Sequence, residues 1–455
     1  MKITHPFVDK RLKENSKLLH DRMVERKVVS LRQLSNGRAE AVKFERLLGN
    51  DNIEIAHLIS AEKDRMRNVV GHRHVLGIQD TTELNYQKHA GRVKGLGTVG
   101  NGKDVGFFLH PMLVLDAQTG SCLGFSEIHI ENRLKGSAEN YPKLPIEEKE
   151  SYRWLEAAEK SKAVLSQATT VTFIGDREND IYEYFDRIPD EKTHVITRTR
   201  VDRVLENGGK LYGYLDEQPL LGVINITVPR EIRKNREKRE AQLIIKCCEV
   251  EIKRPVHCSD KTASETLKLH IVEAKEINCP SDQKPIHWRL FTTHRTTHFE
   301  QAQQIILWYR CRWNIEEVFR TMKKQGLNIE SSQVESASSL MKLVIVALCA
   351  VIKIMQLVLA RDGTTEQKTN DVFALDEQVL LIILLKRFEG KTAKQKNPYP
   401  KENLAWASWI IARLGGWKGY VKSEGFAGPI TIGRGLEMFY GIYDGWKMHR
   451  DLRAE

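Results

Sequence analysis

The segment Tyr309-Arg-Cys-Arg-Trp-Asn-Ile-Glu-Glu-Val-Phe-Arg-Thr-Met-Lys323 restricts this chain more than any other. Its apolar and polar positions recur with helical spacing, which predicts a helix. At about 100° per residue, Tyr309, Arg312, Glu316 and Lys323 fall within about 60° of arc and form one polar stripe. Ile315, Val318, Phe319 and Met322 fill the neighbouring arc and would seat the helix on a core. One acid is thus held between a phenol, a guanidinium and an ammonium. That set suits gripping a phosphate beside a metal ion, with hard oxygens from Glu316 and cations to neutralise the anion. The same stripe also fits a solvated face carrying ordinary Glu–Arg and Glu–Lys pairs.

The 455 residues leave room for two to four domains and a large core. Lys and Arg number 71 against 60 Asp and Glu, a net charge of +11, so any binding of nucleic acid would run through local patches. The seven cysteines are scattered and lack the paired spacing of a zinc site, which fits reduced thiols in a cytoplasmic protein. Met1-Lys-Ile-Thr-His-Pro carries no apolar segment of the signal-peptide kind. The most apolar run, Leu340 to Ala360, is interrupted by Lys342 and Lys353, and we expect a buried helix there and no membrane partner.

Taken in order, residues 1–70 are charged and helix-favouring, and read as a small helical domain. His74-Val-Leu-Gly-Ile-Gln-Asp80 is a short apolar strand ending in an acid. Gly106 to Asp116 and Ser121 to Ile130 read as a hairpin turned by Ala-Gln-Thr-Gly. Pro145 to Gln167 is a helix with Trp154, Leu155 and Val164 on its apolar side. Thr170-Val-Thr-Phe-Ile-Gly-Asp176 is a second strand ending in an acid, followed by a helix and by the strand His194 to Arg198. From about 200 to 290 the pattern turns to strands and loops, including the basic segment Arg230 to Arg239. The helix bearing the stripe follows. After Gly363 come an apolar helix, a basic linker from Lys391 to Lys401, and a final segment rich in Trp and Gly.

Two strand-end acids, Asp80 and Asp176, and one helix-borne acid, Glu316, can meet at the carboxyl edge of a mixed sheet, where open α/β sheets keep their sites. Three carboxylates without His or Cys suit Mg²⁺ or Mn²⁺. Two such ions about 4 Å apart activate a water or a 3′-hydroxyl and stabilise the leaving oxygen in an in-line phosphoryl displacement. Taken singly, an acid at a strand end is as well read as a cap or turn residue.

Asp80-Thr-Thr, Gly-Asp176-Arg-Glu-Asn-Asp-Ile and Tyr309-x2-Arg312-x3-Glu316-x6-Lys323 together resemble the DDE transposases of the insertion-sequence-four family, nearest to its Tn-five transposase branch. Trp313-x-Ile315-Glu-Glu extends the likeness, as does Trp406-Ala-x-x-Ile410-Ile-Ala-Arg-Leu-Gly-Gly416. Residues 1–70 match least well. The resemblance implies an α/β fold: a ribonuclease-H-like mixed-sheet catalytic core over 71–362, interrupted by a β-strand insertion at about 200–290. Helical domains at 1–70, for DNA binding, and 363–455, for dimerisation and synapsis, would flank it. Asp80, Asp176 and Glu316 would be catalytic and would hold two Mg²⁺ ions, with Mn²⁺ as a substitute. Tyr309, Arg312, Lys323, Arg198 and Arg200 would contact DNA, and Trp288 would stack on a base flipped out during hairpin formation.

The expected function is that of a cut-and-paste DNA transposase. It would bind the element's terminal inverted repeats, cleave through a hairpin intermediate and join 3′-hydroxyl ends to target DNA. Its partners would be double-stranded DNA and a second copy of the chain, in the cytoplasm of a bacterium at the nucleoid. Two alternatives stand beside it: a metal-dependent nuclease of the same fold without strand transfer, and a catalytically silent DNA-binding inhibitor of transposition.

Overall fold

The structure, a computed structural model, describes residues 10–100, 102–133, 144–228, 238–258, 260–392 and 395–454. Most of the basic segment from Arg230 to Arg239 lies outside them. The chain is mixed α/β, with eleven strands among the described residues, and divides into two compact units that do not follow chain order. One comprises Gly71–Asp80 and Ser137–Trp313; the other comprises Met1–Val70, Thr81–Gly136 and Asn314–Glu455.

The first unit is built on seven strands: β1 (His74–Gln79), β6 (Thr170–Gly175), β7 (Thr193–Arg198), β8 (Gly222–Val228), β9 (Arg239–Lys253), β10 (Thr266–Ile277) and β11 (His287–Thr292). Their spatial order is β1-β6-β7-β11-β10-β9-β8. The β1–β6 and β6–β7 pairs are parallel, whereas the remaining pairs are antiparallel. Sequence pattern explains the change of character. Val75 to Gln79 and Val171 to Gly175 are buried without a break, as in parallel strands covered on both faces. In β8 and β9 buried and exposed residues alternate, as in a sheet with one face in water. Strands β8 to β10 lie between residues 200 and 290, and β11, which carries Trp288, follows them and pairs with β7. Helices α5 (Tyr152–Val164), α6 (Tyr182–Arg187), α7 (Leu211–Asp216) and α8 (Phe299–Arg310) complete the unit.

In the second unit β2 (Thr82–Asn85), β3 (Gly97–Val99) and β5 (Cys122–Glu131) all pair antiparallel with β4 (Asp104–Asp116). The expected hairpin is the β4–β5 pair. A Cβ on Gly106 would lie 2.0 Å from the Leu84 carbonyl oxygen, so only glycine lets β2 and β3 both approach β4 there. The helices are α1 (Lys10–Arg26), α2 (Leu31–Leu34), α3 (Arg38–Leu48), α4 (Ile55–Val69), α9 (Trp313–Arg320, opening at the unit boundary), α10 (Ala337–Ala360), α11 (Leu375–Phe388), α12 (Leu404–Leu414), α13 (Val421–Glu424) and α14 (Pro429–Ala454).

α10 is long and apolar enough to cross a membrane, yet most of it is buried inside the unit. The two lysines that interrupt it are both satisfied internally. Lys342, 3% exposed, donates to the Leu48 and Asn50 carbonyls at 3.1 and 2.8 Å, where α3 ends and its orphan carbonyls need donors. Lys353 donates to the Tyr440 hydroxyl, stands 3.6 Å from Glu377, and lies over the Phe373 ring. Around them α10, α11, α12 and α14 share a core that includes Leu357, Phe373, Trp406, Ile410 and Phe439. Each large side chain buried this way contributes about 1.5–3 kcal/mol.

Candidate active site

β1 and β6 place the first two acids. Their register runs from His74↔Thr170 to Ile78↔Ile174. Continued two residues past Ile78 and Ile174, it sets Asp80 level with Asp176, one residue beyond the carboxyl end of each strand. Neighbouring strands lie about 4.8 Å apart, so two carboxylates issue from one edge across one strand gap. Both are also engaged locally. Asp80 Oδ2 accepts from Arg312 Nη1 at 3.0 Å, and Asp176 Oδ1 caps its own turn by accepting from the Glu178 N–H at 2.8 Å.

The predicted single helix over Tyr309 to Lys323 is broken in the structure. α8 ends at Arg310, Cys311 and Arg312 form a turn, α9 runs from Trp313, and Thr321–Gln325 is a π-helical turn. The heptad-like spacing reads the same in all three pieces, because each keeps nearly helical backbone angles. Tyr309, in the last turn of α8, is 3% exposed and its ring meets Trp288 of β11 edge-on at 5.6 Å. Trp288 is itself 9% exposed, with no open face of its ring offered to a base.

The electrostatics of these groups are coupled. Burial raises the Tyr309 phenol, Arg312 and Arg198 pull it back, and Asp176 adds to the rise. Burial lowers Arg198, and Arg177 and Arg312 lower it further, while Tyr309 acts in the opposite sense. Arg198 is anchored by donating from Nη2 to the His287 carbonyl at 2.8 Å, and Arg200 is exposed on the loop after β7. Within this unit, therefore, Asp80, Asp176, Tyr309, Arg312, Arg198 and Trp288 converge, with Arg200 beside them. Glu316, half-buried in the first turn of α9, and Lys323 belong to the other unit. There Lys323 donates to the Glu83 carbonyl and stands 3.7 Å from Glu330; burial lowers its pKa, and Glu330 offsets that.

Two neighbours were not assigned roles from the sequence. Arg177 follows Asp176 directly and adds a guanidinium near Arg198. Asp180, whose side chain is fully buried, accepts from Arg203 Nε at 2.9 Å and from the Arg200 N–H at 2.7 Å. It thereby fixes the loop that carries Arg200. Its place in Asp176-Arg-Glu-Asn-Asp180 was the available signal, but an Asp in a turn rich in Asp and Asn reads first as a local cap.

Residues 153–352 match the family model described as the transposase DDE domain. That match supports a DDE transposase. It spans Asp176 and Glu316 and begins well after Asp80. A solved structure titled as the cryo-EM structure of piggyBac transposase synaptic complex with hairpin DNA is similar at a TM-score of 0.39 and 10% identity, covering 82% of this chain and 70% of that one. Likeness at that level decides neither fold nor function.

DDE transposases work with divalent metal ions, and the donors at the paired strand ends agree with that in kind: two hard-oxygen carboxylates on one edge, without thiolate or imidazole. They do not complete a ligand shell. Among the described residues no group of three or more His, Cys, Asp or Glu side chains is placed to hold a metal ion.

Proposed function

We propose that this chain is a cut-and-paste DNA transposase whose chemistry is centred on Asp80, Asp176 and Glu316. The observation that carries the reading is the level placement of Asp80 and Asp176 at the carboxyl ends of two parallel strands, the second of them inside the segment 153–352 that the transposase DDE domain model matches. Glu316 would join them as third ligand, four residues after the arginine that holds Asp80. Two Mg²⁺ ions bound there would supply Lewis-acid activation of water or a 3′-hydroxyl and charge neutralisation at the leaving oxygen.

The chain's own residues position the DNA. Arg312, Arg198, Arg177 and Tyr309 line the acid edge with donors that fit a phosphate, and Arg200 extends them outward. Arg312 would exchange its hold on Asp80 for a phosphate when DNA enters, freeing the carboxylate. Trp288 would take an unstacked base once its edge-on contact with Tyr309 opens. Lys323 would contact DNA as well. A first strand nick, a hairpin formed by attack of the freed 3′-hydroxyl, its reopening and joining to target DNA would all use this edge. Residues 1–70 would read the terminal inverted repeats and residues 363–455 would pair two copies, in the bacterial cytoplasm.

The test takes end duplexes from inverted repeats flanking the gene, with a supercoiled target and Mg²⁺. Joined products that vanish in Asp80→Ala, Asp176→Ala and Glu316→Ala, with end binding retained, are expected. Cleavage without joining would indicate a nuclease. Binding without any nick in the unsubstituted protein would indicate a silent inhibitor.

A further inference from the structure

The basic linker marked in the sequence belongs to the unit that does not carry Asp80 and Asp176. Residues 386–422 hold nine Lys and Arg against two Glu, a net +7 of the chain's +11. Lys386, Arg387, Lys391, Lys396, Lys401, Lys418 and Lys422 are exposed. This surface contains a cavity of about 250 Å³ at the carboxyl ends of α11 and α12, lined by Arg387, Arg413, Lys418, Phe388, Trp409 and Tyr420. Glu389 is the one acid in the lining.

A helix-capping role accounts for only part of this. Arg413 donates from Nη2 to the Phe388 carbonyl at 3.4 Å, and from Nη1 to the Trp417 and Lys418 carbonyls, so it ties the end of α11 to the loop after α12. Its Nε is buried with no hydrogen-bond partner. Arg387 and Lys418 cap nothing in this arrangement. Lys418 stands 3.7 Å from Glu424 with a side chain 76% exposed, a pairing that a phosphate would readily displace. A volume at the small end of ligand sites, three cations in the lining and an exposed aromatic in Tyr420 fit a phosphate-sized anion.

We propose that this cavity binds a phosphate of a DNA backbone, giving the C-terminal region a DNA contact separate from the acid edge. The number of exposed cations in residues 386–422, beyond the three that line the cavity, favours a long polyanion over a free anion. The proposal rests on the reading of the chain as a DNA-binding protein, but not on its cleaving DNA.

The experiment measures binding of a short duplex of arbitrary sequence to the full chain by fluorescence anisotropy, at salt from about 50 to 200 mM. Arg387→Ala with Lys418→Ala should lower the slope of log K against log salt by about one and weaken binding about 5-fold at about 0.15 M salt. Arg387→Glu with Lys418→Glu should weaken it further, and matching thermal melts would show that both variants fold. An unchanged slope overturns the proposal. So does quenching of tryptophan fluorescence by inorganic phosphate, lost in the variants, while duplex binding stays as it was; the cavity would then take small anions only. If the protein cleaves no DNA but the slope difference holds, the transposase reading fails and this site stands.

Discussion

At the scale of single residues, buried charges decide most of what can be tested. Asp180 is fully buried against Arg203 and also accepts from two backbone N–H groups of the following loop. Asp180→Ala leaves a buried guanidinium without its counter-charge, and we expect a loss of about 3–5 kcal/mol in urea denaturation. Asp180→Asn, which keeps an acceptor, should recover part of it. A histidine cluster gives the pH dependence. Thr172 Oγ1 lies 2.8 Å from both His74 Nε2 and His294 Nε2, and the His294 ring stacks on His194 at 3.9 Å. Burial first, then His194 and His74, push His294 down to about 3. The unfolded chain therefore takes up this proton near pH 6.5, before the folded one does. The stability it contributes is complete above that pH and is lost progressively as pH falls towards 3. Thermal melts should drop between pH 7 and 5, and His294→Gln should flatten that part of the profile.

At the scale of elements, the closest approach is between α12 and α14. A Cβ on Gly435 would lie 1.9 Å from the Ile411 carbonyl oxygen, and one on Gly415 would lie 2.1 Å from the Thr431 carbonyl oxygen. Both obstacles are backbone and cannot swing aside. Gly435→Ala should force the helices apart and open the core around Ile410 and Phe439, at a cost of about 1–3 kcal/mol read from the denaturation midpoint. The broken stripe belongs to this scale as well. Helical spacing in Tyr309 to Lys323 was visible in the sequence, but the turn at Cys311–Arg312 was not, since no proline or glycine marks it. The break lets Arg312 reach Asp80, a residue 232 positions away.

At the scale of the molecule, the chain passes between its two units at residues 70/71, 80/81, 136/137 and 313/314. The unit containing α10 thus takes its amino-terminal helices from one end of the chain and its C-terminal helices from the other. α1 and α3 pack on α10, and Lys342 donates to two carbonyls at the end of α3. Removing residues 1–70 would strip these partners and leave a buried ammonium without these acceptors. Such a truncated chain should lose cooperative melting and become sensitive to limited proteolysis, rather than yield a stable remainder. With so many of its contacts between distant segments, the intact chain should also fold slowly, since loop closure is paid before those contacts form.

What the sequence determined by itself is local. Unbroken apolar runs marked the parallel strands β1 and β6, alternation marked β8 and β9, and the residue after β1 and the residue after β6 were already seen to be acids. The two lysines in Leu340–Ala360 argued for a buried helix, because a cation is tolerated there only with acceptors to hand. Tertiary structure alone decided the register that levels Asp80 with Asp176, the hold of Arg312 on Asp80, and the burial of Trp288 and Tyr309 against each other. It alone joined Asp180 to Arg203 and set Arg387, Arg413 and Lys418 around one cavity. Hydrogen-bond register and side-chain convergence depend on residues far apart in the chain, and no local periodicity encodes them.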